Sequence, residues 1–279
     1  MGYFSNGSLD DWFYRGDLDL GFAPVANGNG VGFGFSLGID AVGGGIKDES
    51  AFYPAIDLVT SVGKFSVGVP RSVLDRGILP ESKFAGASYL DLEIRGVQAS
   101  YVGYGYLMSN NQVYGARYDG TFGNTRLGFS AHNIARPFGD EQSYAFAVNH
   151  MLPNAGRFED VQIYGAVEHL TAPGGNDTSY RIGTEGRINK TKLGLSYSDN
   201  RVPFGVKFSH AYLEHAITPD LSVSAAYGRA DVGGGTINNV YGLGARYDFL
   251  DKAYVKASYI DTDAASTDPI WEAMVGWEF

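Results

Sequence analysis

The chain has 279 residues and no cysteine, and its 31 acidic side chains outnumber 21 basic ones for a net charge of −10. That balance offers no basic face, which excludes nucleic acid as a partner, and no apolar run approaches the roughly 20 residues of a membrane-spanning helix. Aromatic residues form 14% of the chain, too many for a disordered segment, and a hydrophobic share of 44% fits either a soluble protein or strands with one apolar face.

Met1–Asn6 ("MGYFSN") has neither the basic start nor the apolar stretch of a signal peptide, so the chain reads as a mature form or one that stays inside the cell. Within it, Gly2-Tyr3-Phe4 reads as a stub of strand. Leu18–Phe22 then alternates, with Arg15, Asp17 and Asp19 opposite Leu18, Leu20 and Phe22. From Val31 to Asp40 every odd position is apolar and every even one is Gly, Ser or Asp. The scheme recurs at "FSVGV" from Phe65, "RLGFSA" from Arg126, "YRIGTEGRI" from Tyr180, "KLGLSY" from Lys192, "LSVSAAY" from Leu221 and "YGLGARYDF" from Tyr241. It closes the chain: Trp271, Ala273, Val275, Trp277 and Phe279 alternate with Glu272, Met274, Gly276 and Glu278. Successive strand side chains point to opposite faces, so each stretch has one apolar and one polar or tiny face. The chain is all-β.

Connections alternate in kind. Turn residues mark short ones at 26–30, 62–64, 123–124, 154–157, 189–190, 218–220 and 250–252. Longer ones are expected around 43–50, 133–142, 170–178, 199–204, 230–239 and 261–269, and the longest from about Arg71 to Asn110. About seven short and seven long connections give about 15 full strands, and the stub makes the even number that a closed membrane barrel requires. The expectation is one domain over residues 1–279, a transmembrane up-and-down antiparallel barrel of about 16 strands with a truncated first strand.

So wide a barrel cannot be filled by side chains and must hold water. Water inside accounts for Arg15, Asp17, Asp57, Arg117, Asp119, Arg126, Arg181, Glu185, Arg187, Arg246, Asp248, Lys256 and Glu272 on the non-aliphatic face. A dry core would charge several kcal/mol for each unless paired. Leu18, Phe33, Val67, Leu127, Ile182, Leu195, Leu243 and Val275 then face lipid. Rings near strand ends (Phe22, Tyr118, Phe122, Tyr197, Tyr227, Tyr247, Phe249, Trp277) would form girdles at headgroup level, though rings are also good strand formers.

The whole pattern after residue 2 resembles the general porins of the Gram-negative outer membrane, most of all the short trimeric porins of purple alphaproteobacteria. Two features sharpen it: the terminal Phe279 after alternating aromatics, and "FSVGVPRSVLDRG" (Phe65–Gly77), a strand running into the one very long connection. The resemblance implies passive diffusion of small hydrophilic solutes and ions through a water-filled channel in the bacterial outer membrane, with no enzymatic activity. It implies a homotrimer among outer-membrane lipid and lipopolysaccharide, and Phe279 as the signal read by the barrel assembly machinery. It also implies a third loop, here about 71–110, folded into the lumen with acidic residues facing cations across the opening. Asp75, Glu81, Asp91 and Glu93 are the acidic candidates; Arg15, Arg117, Arg126, Arg181, Arg187 and Arg246 are the basic ones. Fixed charges of opposite sign across a gap make a transverse field that favours dipolar solutes. The acidic motif of enterobacterial third loops is absent here, and each of these residues also fits an ordinary wetted lumen. Inward Gly32, Gly34, Ser36 and Gly38 would make room for the loop, or serve curvature.

No cofactor is implied; Asp261, Asp263 and Asp268 could hold calcium with loop carbonyls or simply solubilise a loop. Two other functions compete. One is a substrate-specific porin for sugars or anions, separable only by its pore lining. The other is an outer-membrane phospholipase or protease whose base would be among His132, His150, His169, His210 and His215, none of which sits in a recognisable constellation.

Overall fold

Sixteen antiparallel strands close into a ring in the computed structural model, each hydrogen-bonded to its neighbours in chain order. The structure describes residues 1–5, 10–22, 30–44, 49–80, 84–85, 100–103, 106, 111–137, 139–201, 205–233, 236–264 and 267–278. The first eight strands are β1 Gly2–Ser5, β2 Asp10–Phe22, β3 Gly32–Gly44, β4 Glu49–Thr60, β5 Gly63–Gly68, β6 Gln112–Phe122, β7 Thr125–Ala135 and β8 Glu141–Met151. The second eight are β9 Phe158–Ala172, β10 Gly175–Ile188, β11 Thr191–Asn200, β12 Val206–Ala216, β13 Leu221–Val232, β14 Thr236–Asp248, β15 Ala253–Thr262 and β16 Ile270–Trp277.

The stub suffices to close the ring. β1 has four residues, yet it pairs with β16 through Gly2↔Met274 and with β2 through Gly2↔Phe13. Phe4, Phe13 and Met274 pack together on the inner side of this seam.

The alternation of short and long connections does not hold. One rim carries the tight turns at 61–62, 123–124 and 189–190, as expected. Beyond the β5–β6 connection, two expected long loops on the other rim are largely strand: β9 runs to Ala172 and β10 starts at Gly175, with Leu170↔Asp177 and Thr171↔Asn176 paired. β13 and β14 likewise pair out to Val232↔Thr236. Polar, turn-prone residues read as loops because composition does not reveal that a ladder can continue into water, where both faces are solvated and backbone pairing alone sustains it.

Side chains alternate as the sequence requires. Outward, Phe33, Ile56, Val67, Ile182, Leu195 and Leu243 are all more than half exposed, Ile56 at 69%. Facing inward are Asp57, Arg181, Glu185 and Glu272, on the same faces as small residues such as Ser66 and Ser258. Outward rings pair across strands at two heights: Phe65–Tyr118 with centroids 4.6 Å apart near the short-turn rim, and Tyr259–Trp271 (4.5 Å) and Tyr227–Tyr241 (5.5 Å) near the other. Such edge and offset pairs add to sheet stability beyond burial alone. The apolar clusters formed by buried residues lie inside, three of them joining the β5–β6 connection to the wall.

Candidate pore constriction

The chain turns into the lumen at the end of β5. Gly68 takes a φ of +134°, where a Cβ would stand 2.7 Å from the Pro54 carbonyl oxygen, so glycine is needed at this bend. Two residues on, the Pro70 carbonyl accepts a hydrogen bond from His132 Nε2 on β7 (2.8 Å).

Arginines then pin the ingoing leg. Arg71 bonds Asp19 Oδ1 on β2 (3.1 Å) and Asp40 on β3, and its guanidinium lies 4.2 Å over the Tyr53 ring on β4. Gly38 leaves the space: a Cβ there would be 2.7 Å from Arg71 Nε. Of the four small inward positions on β3, this one demonstrably makes room for the loop. Arg76 reaches Asp17 (3.0 Å) and Asp19 (2.8 Å). From the wall, Arg117 on β6 donates to the carbonyls of Arg71, Ser72 and Arg76 at 3.2, 3.1 and 2.6 Å, and holds Asp119 as well. Val73 and Ile78 pack on Ala145 and Ala147 of β8, over Gly128, where a Cβ would meet Val73 at 2.8 Å.

The outgoing leg returns to the same wall. Asp75 accepts from the backbone N (2.9 Å) and hydroxyl (2.8 Å) of Ser100, joining the two legs where a helical turn begins at Tyr101. The Tyr101 amide donates to buried Glu168 on β9 (2.8 Å), which also accepts from Ser143 (2.6 Å). The Tyr101 phenol donates to Glu141 (2.7 Å) and accepts from Arg136 (2.6 Å); burial, with the Glu141 carboxylate, pushes it up to about 12. Between the legs, Phe84 and Ala85 lie against β12–β15.

The expected charge pairs are placed as follows. Asp75 serves the loop's own fold; Glu81, Asp91, Glu93 and Phe279 lie outside the described residues. Arg117 holds the loop's base. Arg15 lies 3.3 Å from Asp17, and Arg246 bonds Asp248 and Glu278 at 2.7 Å each, its guanidinium 4.1 Å over the Tyr254 ring. Arg126 and Arg187 stand near the short-turn rim, Arg187 3.8 Å from Asp160, and Arg181 is buried on β10. Sequence reasoning missed a further set of pairs: loop cations, Arg71 and Arg76, meet wall acids, Asp17, Asp19 and Asp40. The signal was present in the inward "DLD" of Asp17–Asp19 opposite a loop that opens with two arginines.

Asp263 and four of the histidines have local partners. Asn239 donates its backbone N and side-chain Nδ2 to Asp263, which holds that carboxyl below the usual carboxylate range. His150, His169 and His215 bond Thr125, Thr178 and Thr191 across strands, and His210 stacks on Phe84, Phe208 and Tyr212. Among the described residues no three potential ligands come together as a metal site.

Beside the loop an open cavity of about 1250 Å³ extends toward the short-turn rim, bounded by Arg76 and Ala85 of the loop and by β2 and β12–β16. Six carboxylates line it (Asp17, Asp19, Glu214, Asp220, Asp248, Glu278) against four cations (Arg15, Arg76, Arg246, Lys256). Charges on both sides of such a space favour water over apolar contents.

No protein-family model and no curated protein sequence matches the chain. Solved structures do. A mutant of Rhodopseudomonas blastica porin superimposes with a TM-score of 0.69 at 16% identity, over 100% of this chain and 96% of that one. A second engineered variant of the same porin gives 0.67 at 15% identity, covering 100% and 96%. A porin refined at 1.8 Å resolution gives 0.64 at 14%, covering 100% and 97%. With strand number, closure and an inward loop between β5 and β6 already described, the chain has the sixteen-stranded fold of the porins.

Proposed function

We propose that the protein is an outer-membrane porin through which small hydrophilic solutes and ions diffuse passively. The observation that carries this reading is the inversion of the barrel: aliphatic rows outside, ionised residues on the inner wall, and an open polar cavity beside the inward loop. A soluble barrel of this size would bury its apolar rows. The same likeness supports a homotrimer, contact with lipopolysaccharide, and recognition of Phe279 during assembly. The acid excess lining the cavity supports a modest preference for cations, because carboxylate rings raise local cation concentration.

Purified protein in planar bilayers is expected to give stepwise, ohmic conductance, with a reversal potential in a salt gradient displaced to the cation side. Absence of steps would refute the channel; a reversal potential on the anion side would refute the selectivity. The displacement should shrink as salt rises toward 1 M, where the Debye length falls to about 3 Å.

A further inference from the structure

The loop is held twice. Its two legs lie against β2–β4 and β6–β9, while Phe84 and Ala85 reach the far side of the ring. There both are almost fully buried, 0% and 1% exposed, among Phe208, Ala226 and Ile260. Phe84 stacks on His210 at 5.3 Å.

This socket is built by missing side chains. A Cβ at Gly242 would stand 2.7 Å from the Ala85 Cβ and 2.9 Å from the Phe84 ring. One at Gly228 would stand 3.2 Å from that ring, and one at Gly244 would run into the Ala85 carbonyl oxygen. Gly242 and Ala226 face each other in register, as do Gly244 and Ser224, so the hollow spans two adjacent strands. Inward glycines on a strand weaken it unless another chain segment approaches closely, and here one does.

We propose that Phe84 and Ala85 form a latch that fixes the constriction loop to the β12–β15 wall, so that the loop is a strap anchored at both sides of the lumen. The passage left to solutes is then the cavity between the strap and the wall of β2 and β12–β16, with Arg76 and Ala85 on its loop side. Its width follows from the latch and not from the diameter of the barrel. Phe84 acts as a positioning residue: it sets where Ala85 stands without lining the cavity itself. This inference rests on the channel reading for its effect on transport, but not for the contact.

The chain has no cysteine, which permits a direct test. In the double variant Ala85→Cys, Gly242→Cys, copper phenanthroline should cross-link the two positions in membrane vesicles, since their Cβ atoms fall within reach of a disulfide after a small adjustment. The oxidised form should conduct like wild type. Absence of the cross-link, or an oxidised conductance below wild type, would overturn the latch. Phe84→Ala should raise unit conductance roughly twofold and admit larger sugars; Phe84→Leu should restore the wild-type value in large part. Gly242→Val attacks the same contact from the wall and should reproduce Phe84→Ala even where Phe84→Ala assembles poorly. Unchanged conductance in both Phe84→Ala and Gly242→Val would overturn the proposal. A wild type that conducts nothing would instead refute the channel, while the cross-link still reports the contact.

Discussion

Replacing Leu195 by arginine is expected to destabilise the barrel by about 2–4 kcal/mol, the cost of a cation on the lipid face near mid-bilayer. Leu195 lies in the middle of β11, is 59% exposed and has no polar role. Its exposure would make such a change nearly neutral in a soluble protein, where surface substitutions stay within about 0.5 kcal/mol. The matched control is Ser222→Glu on β13, which lines the cavity opposite Arg246 in register. A carboxylate there faces water and a cation, so the change should stay below about 1 kcal/mol. Urea unfolding in lipid vesicles measures both. Equal effects of the two variants would remove the distinction between a lipid face and a wet face.

Arg117→Ala should free the base of the strap. The guanidinium satisfies three loop carbonyls and Asp119 at once. Hydrogen bonds to charged groups contribute about 1.5–3 kcal/mol each when buried. Arg117 is half-buried, so a combined loss of about 3 kcal/mol is a discounted expectation. Local opening at Arg71–Leu79 should then be on the order of a hundredfold more frequent. Limited trypsin digestion reads it as new cleavage after Arg71 or Arg76, and bilayer recordings as noisier open levels. Arg117→Lys keeps the charge but loses the fork that spans several acceptors, so it should resemble alanine more than wild type. Full protection in Arg117→Lys would show that charge alone holds the loop.

Much of this architecture could be read from residues. Period-two alternation gave the strands and their inward and outward faces, because one-sided solvation leaves a strict mark on every strand. The long connection stood out by length alone, and Phe65–Gly77 located its start. The rims were less legible. "APGGNDT" at 172–178 contains every usual signal for a loop, yet β9 and β10 pair through most of it, since strands beyond the membrane need no hydrophobic face. The loop's entry into the lumen was legible; the anchoring of its arginines, Arg71 and Arg76, on Asp17, Asp19 and Asp40 was not. Nothing local tells whether a loop carboxylate points to the wall or to the loop's own backbone, and Asp75 does the second. Nor could the sequence reveal that Gly242 and Gly244 answer to Ala85 more than 150 residues away. Alternating "GLG" looks the same whether its glycines admit a loop or merely ease curvature.

The central claim is that aliphatic rows contact hydrocarbon while the opposite rows enclose water. Single cysteines placed in this cysteine-free chain at Ser222, Ser224, Leu195 and Leu243, treated in vesicles with a membrane-impermeant maleimide, address it most directly. Cysteines at Ser222 and Ser224 are expected to react while those at Leu195 and Leu243 stay protected. Labelling at Leu195 and Leu243 with protection at the two serines would contradict it.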